Sequence, residues 1–156
     1  MKLTIVCIGK TRERFIQDGI AKYLRYLKPY AATEIRELRE EKINDLRDAP
    51  LIREKEAEKI FKAVSPQALL IALDERGQEF TSHGFAEFLN KCLESGVREM
   101  AFIIGGAMGL DENVTGRSNK VIALSRWTLT HEMARLVLLE QLYRAFTIIK
   151  GKTYHY

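Results

Sequence analysis

Apolar runs and helix-periodic segments alternate from one end of the chain to the other. Short apolar or alternating stretches predict strands at residues 2–8, 33–38, 68–73, 99–104 and 120–124. Between them, apolar residues recurring every three or four positions predict helices near 12–28, 50–64, 82–95 and 131–150. The punctuation agrees: Pro29 ends the first helix after Lys28, Pro50 suits the first turn of the second, and Ser65-Pro66 separates that helix from the third strand. Thr81 or Ser82 can cap the third helix, and Gly96 can end it. Strands that alternate with helices imply an α/β fold, a mostly parallel sheet with helices on both faces. The segment 34–48 is highly charged and, beyond its strand, reads as an exposed, mobile connection. There are no internal repeats.

The final helix departs from the usual amphipathic pattern. Met133, Leu136, Val137, Leu138, Leu139, Leu142, Tyr143, Ala145, Phe146, Ile148 and Ile149 leave little of its circumference polar. A helix apolar nearly all round needs cover on two sides. One side can face the sheet, and a homodimer through this helix is the economical way to cover the other.

Length and composition narrow the picture. At 156 residues, 46% hydrophobic and 29% charged, the chain fits one globular domain spanning 1–156. No apolar run is long enough for a membrane span, and residues 1–9 read as the first strand rather than a secretory leader. Cys7 and Cys92 belong to no CxxC or Cys/His cluster, which argues against a metal site or disulfide scaffold and fits a reducing cytoplasm. The formal charge of +4 is unevenly spread. Residues 113–156 carry seven Lys or Arg against Glu132 and Glu140, a net +5, whereas residues 34–62 carry eight basic against nine acidic groups, a net −1. Positive charge collects in the last third, as it would for a polyanionic partner or on a solvated helix face.

Candidate chemistry collects there too. The strand Ala101-Phe102-Ile103-Ile104 runs into Gly105-Gly106-Ala107-Met108-Gly109, and the strand Val121-Ile122-Ala123-Leu124 runs into Ser125-Arg126-Trp127-Thr128-Leu129-Thr130-His131. Loops at the carboxyl ends of strands are where open α/β sheets bind ligands. The glycines permit close approach of a ligand to backbone, or simply a tight turn. They do not form GxGxxG, and the first strand is followed only by Gly9, which disfavours a dinucleotide fold. Asp74, at the end of the third strand, is either a turn former or part of a pocket with Leu73, Gly105 and Leu124. His131 opens the last helix with Arg135 one turn on, and the tail Gly151-Lys152-Thr153-Tyr154-His155-Tyr156 combines rings and charge suited to an exposed RNA base. There is no Ser/His/Asp pattern, P-loop, HExxH or deaminase signature.

Read together, KLTIVCIGK, the LD of the third strand, IIGGAMGL, LSRWTLTHEMARLVLLEQLYRAF and KGKTYHY resemble the SPOUT superfamily of RNA methyltransferases. More narrowly they are similar to its small single-domain family, which methylates N3 of a pseudouridine in helix 69 of 23S ribosomal RNA in assembled ribosomes. The resemblance covers the whole chain. It implies a C-terminal trefoil knot, S-adenosyl-L-methionine as cofactor and an obligate homodimer. It places the cofactor against Leu73, Gly105, Gly106, Leu124, Ser125, Arg126, Trp127, Thr128 and Leu129. One departure is Thr130-His131, where many relatives have Pro-His. This softens the turn and leaves His131 in place.

On that basis the expected chemistry is methyl transfer to a base nitrogen. An imide N–H must first lose its proton, so His131 or His155 is expected as base and Arg135 as anion stabiliser. Arg126, Lys150 and Lys152 are expected to hold phosphates, with Tyr154 stacking on the target base. The competing readings are a non-catalytic RNA- or ribosome-binding module, and a methyltransferase of the same fold acting on transfer RNA.

Overall fold

The central strands β1 (Lys2–Ile8) and β4 (Glu99–Ile104) carry apolar, buried side chains on both faces. The computed structural model describes residues 1–152. Five parallel strands form one sheet in the order β2 (Ala32–Leu38), β1 (Lys2–Ile8), β4 (Glu99–Ile104), β3 (Leu69–Glu79), β5 (Lys120–Ala123). At the centre Ile5 lies opposite Ile35 on one side and Phe102 on the other. Residues 3–8 of β1 are all buried, as expected of a strand covered on both faces.

The alternation along β1 sorts the helices into two layers. Leu3, Ile5 and Cys7 pack with α1 (Arg14–Leu27), α3 (Ser82–Glu94) and α5 (His131–Ile149), through Ile16, Ile20, Leu89, Leu138 and Leu142 among others. Val6 and Ile8 point the other way, into a smaller core with Ala57 and Ile60 of α2 (Ala49–Ala63) and Val114 of α4 (Glu112–Arg117). Phe102, wholly buried in the larger core, would cost about 3–5 kcal/mol if cut back to Ala.

The helix ends have local causes. Thr81 caps α3, its hydroxyl accepting from the Gly84 N–H at 3.0 Å, and Gly96 ends it at φ +80°. Thr130 caps α5 by accepting from Met133 N–H at 3.2 Å, so the residue in front of His131 supplies the helix start. The charged connection after β2 is exposed, as its composition predicts, but it is fastened to α2. Lys59 donates to the Arg39 carbonyl and pairs with Glu41, and the Glu41 N–H donates to Glu56.

Two features differ from expectation. The strand predicted at 68–73 continues to Glu79 through an irregularity in which both Leu73 and Gln78 pair with Ile122. Gly77 allows this, because a Cβ there would stand 2.7 Å from the Ile122 backbone. The second difference is the cover of α5. None of its 19 residues is exposed, because α1 and α3 flank it on the same face of the sheet. Leu138, Leu139, Leu142, Ala145 and Phe146 are thereby buried within the chain, while Met133, Leu136, Val137, Tyr143, Ile148 and Ile149 stay half-buried. The short α4 and a 3-10 turn at Leu46–Asp48 were not predicted either.

Candidate functional site

A cavity of about 860 Å³ opens at the carboxyl ends of β3, β4 and β5. The glycine loop forms one wall, folded tightly on itself: Gly109 N–H donates to the Gly106 carbonyl at 3.0 Å, and Gly109 sits at φ +78°. A Cβ on Gly105 would stand 2.8 Å from the Gly109 carbonyl carbon, and one on Gly106 would stand 2.9 Å from Ile8 Cγ2. The loop is thus a tight turn, and its glycines line the cavity as well.

The segment between β5 and α5 forms the facing wall. Ser125 Oγ accepts from Trp127 N–H at 2.9 Å, and the Thr128 hydroxyl donates to Glu75 at 2.9 Å, fixing the turn against the irregular part of β3. Leu73, Gly105, Gly106, Leu124, Ser125, Trp127, Thr128 and Leu129, all expected at a cofactor site, line this one cavity together with His131. Trp127 also lines it and is 84% exposed.

Charged residues not expected here also line the cavity: Arg53, Glu75, Arg76 and Glu112 join Asp74. Arg76 bonds Asp74 through its backbone N–H and its guanidinium, and that pairing holds the Asp74 carboxyl below the usual range. Asp74 is therefore a turn former and a cavity residue at once. Arg53 had no sequence signal, because it reaches the site from α2 across a gap that periodicity cannot show; its guanidinium lies 3.5 Å from the Met108 carbonyl.

His131 is half-buried and lines the cavity. Burial lowers its pKa below the ordinary 6.5, and the nearby Arg135 charge adds to this, against the opposite pull of Glu132 and Glu40. Its imidazole is accordingly neutral near pH 7 and able to accept a proton. A Cβ on Gly9 would stand 3.8 Å from His131 Nε2, so the end of β1 adjoins the ring closely.

Other expected site residues lie elsewhere. Arg135 is not on the cavity wall but fully buried, its guanidinium donating to the Ile8 and Gly9 carbonyls at 2.8 and 3.0 Å, to Thr11 at 2.7 Å and to Glu37 at 3.2 Å. Arg126 turns outward and pairs with Glu79 at 2.9 Å. Lys150 and Lys152 sit past the far end of α5, about 28 Å of helix from His131, where Lys152 Nζ lies 5.4 Å from the Tyr30 ring centre. Tyr154 and His155 lie outside the described residues. Among the described residues, no group of three or more His, Cys, Asp or Glu could hold a metal, and no helix is long and apolar enough to cross a membrane. Both cysteines are free, and burial pushes the Cys7 thiol up to about 12.

Comparison with known proteins agrees with this arrangement. Residues 1–155 match the family described as "Predicted SPOUT methyltransferase". The chain is 45% identical over 156 residues, all of both chains, to the "Ribosomal RNA large subunit methyltransferase H" of Trichlorobacter lovleyi. It is 46% identical to the protein of the same name from Geobacter metallireducens, covering 100% of this chain and 99% of that one. Among solved structures it is similar to a probable methyltransferase from Bordetella pertussis Tohama I, with a TM-score of 0.57 at 12% identity over 92% of this chain and 95% of the other, a likeness of fold alone. With the match running through both walls of the cavity and along nearly the whole chain, the protein belongs to the SPOUT methyltransferase family.

Proposed function

We propose that this protein transfers a methyl group from S-adenosylmethionine to ribosomal RNA of the large subunit, at N3 of a pseudouridine in helix 69, acting on assembled ribosomes in the cytoplasm. The observation that carries this reading is the convergence of Leu73, the glycine loop and the turn before His131 on a single cavity. The naming of full-length relatives as large-subunit ribosomal RNA methyltransferases supports the substrate class.

The residues present fit such a cofactor. Leu73, Ile104, Leu124 and Leu129 offer apolar surface to an adenosine, and the carboxylates of Asp74, Glu75 and Glu112 suit a cationic sulfonium and ammonium. When bound, S-adenosylmethionine supplies an electrophilic methyl group, so the chain itself has to position the base, exclude water and manage one proton. His131 is proposed to take the imide proton, with His155 as the other candidate base. Arg135 acts as a positioning residue, joining the end of β1 to α5 one turn beyond His131.

A homodimer through α5 is part of the proposal, as is the trefoil knot that the family likeness implies. Lys150 and Lys152 stand a helix length from the cavity of their own subunit. They can serve as phosphate ligands, with Tyr154 stacking on the base, at the cavity of a second copy. Arg126 is the proposed phosphate ligand of the near rim.

Calorimetry with S-adenosylmethionine and tritium transfer to ribosomes or bulk transfer RNA test the proposal. Cofactor binding with label entering large-subunit RNA is expected. No cofactor affinity would leave a non-catalytic binding module, and label confined to transfer RNA would overturn the substrate. Removing residues 151–156 is expected to suppress methylation more than cofactor binding. If His131→Ala and His155→Ala, alone and combined, leave single-turnover rates unchanged at saturating RNA, neither is the base.

A further inference from the structure

The β1–α1 connection, residues 10–13, together with Arg14 and Phe15 at the start of α1, forms a loop with a pinned backbone and several exposed side chains. Glu132 Oε2 accepts from the N–H groups of Arg12 and Glu13 at 2.9 and 3.0 Å. Glu37 accepts from the Thr11 N–H and hydroxyl at 2.7 Å each, and Gln17 donates to the Thr11 carbonyl at 2.7 Å. Yet Lys10 and Arg14 project into solvent with no ion pair among the described residues, and Phe15 beside them is 63% exposed. A loop held this firmly in place, with long cationic and aromatic side chains left uncommitted, is organised in advance for a partner.

We propose that this loop is an RNA-gripping surface: Lys10 and Arg14 contact phosphates and Phe15 packs on a base or sugar of the strand that enters the cavity. The inference rests on the methyltransferase reading above. Position supports it, because Gly9, immediately before the loop, adjoins His131, which lines the cavity. Of the cations expected from sequence, only Arg126, itself paired with Glu79, stands near the mouth within one subunit, because Lys150 and Lys152 lie at the other end of α5.

Local charge does not cancel the grip. Of the neighbouring carboxylates, Glu37 is held by Arg135 and Thr11, Glu40 by Arg12 at 2.6 Å, and Glu132 by two N–H groups, leaving Glu13 against Lys10 and Arg14. No anion site is placed at the N-terminus of α1, since the Glu132 carboxylate already lies against the N–H groups of Arg12 and Glu13 just before it. Side chains, not helix ends, make the contact.

The test compares wild-type protein with Lys10→Ala/Arg14→Ala, Phe15→Ala and a Lys62→Ala/Lys91→Ala control that removes the same charge from exposed positions on α2 and α3. Tritium transfer to ribosomes, cofactor calorimetry, melting temperature and sedimentation are measured on each. The loop variants are expected to raise KM for ribosomes about tenfold, and the charge variant to lower the salt slope of binding by about two, with cofactor affinity and melting temperature unchanged and the control like wild type. An unchanged KM overturns the proposal, as does a loss that tracks a change in sedimentation, which would assign the loop to contact with a second copy. A wild-type protein that methylates no ribosomes would instead overturn the underlying functional reading.

Discussion

Arg135 donates to the Gly9 carbonyl at 3.0 Å, joining the last helix to the end of the first strand across 126 residues of sequence. With the neighbouring bond to Ile8 at 2.8 Å it satisfies two carbonyls at the carboxyl end of β1, and its own charge is met by Glu37. Replacing it with Met would leave those acceptors without a donor in a buried place. Arg135→Met is expected to lower stability by about 3 kcal/mol, read by urea unfolding, and to weaken methylation through displacement of His131. Arg135→Lys, which keeps the charge but not the fork, should recover only part of either.

Glu132 supports the same junction from the neighbouring position. Burial pushes its carboxyl up, but the N–H groups of Glu13 and Arg12, with His131 and Arg135 nearby, outweigh that and hold it below the ordinary 4.5. Its stabilising contribution is therefore complete above pH 4.5 and is lost as pH falls through the lowered folded value. Glu132→Gln should cost about 1–2 kcal/mol at neutral pH, and the difference from wild type should shrink in acid, as measured by unfolding at several pH values.

His131 carries the opposite pH signature. Burial, then Arg135, keep its folded pKa below 6.5, so as pH drops below 6.5 the unfolded chain takes up a proton that the folded chain resists. Stability is expected to fall through that window and to level off below the folded value, and His131→Gln should remove this part of the profile. The methylation rate should lose an acid limb with a midpoint below 6.5 in the same variant. A wild-type limb well above 6.5 would assign the proton to another group.

Gly105 tests the cavity wall. A methyl group there would meet backbone at 2.8 Å, which only a shift of the Gly106–Gly109 turn can relieve. Gly105→Ala is expected to cost about 1–3 kcal/mol of stability and to reduce S-adenosylmethionine affinity at least about tenfold by calorimetry.

Much of the architecture was legible because it depends on short-range patterns. The edges of β1, β4, α3 and α5 fall within a residue or so of where apolar runs, Thr81, Gly96 and the start at His131 put them. β3 was read as ending at Leu73 because Asp74 and Gly77 look like a turn; the chain does kink there, then resumes pairing with β5. α4 escaped because six residues with one buried side chain, Val114, carry no usable period. The same limit applies to the site. The glycine loop and the turn before His131 were legible as strand-end loops, whereas the role of Arg135 was not. A charged residue near a candidate base looks functional in sequence, and only its partners at Ile8 and Gly9 reveal that it holds two segments together.

The contacts of Glu132 and Arg135 with the end of the first strand also fix an order of events at the ribosome that makes this chain. β1 leaves the exit tunnel well before α5, so the cleft stays open-sided until α5 has emerged. Nascent chains halted before α5 emerges should hold no methyl donor, and the newborn protein gains its binding site only with its final helix.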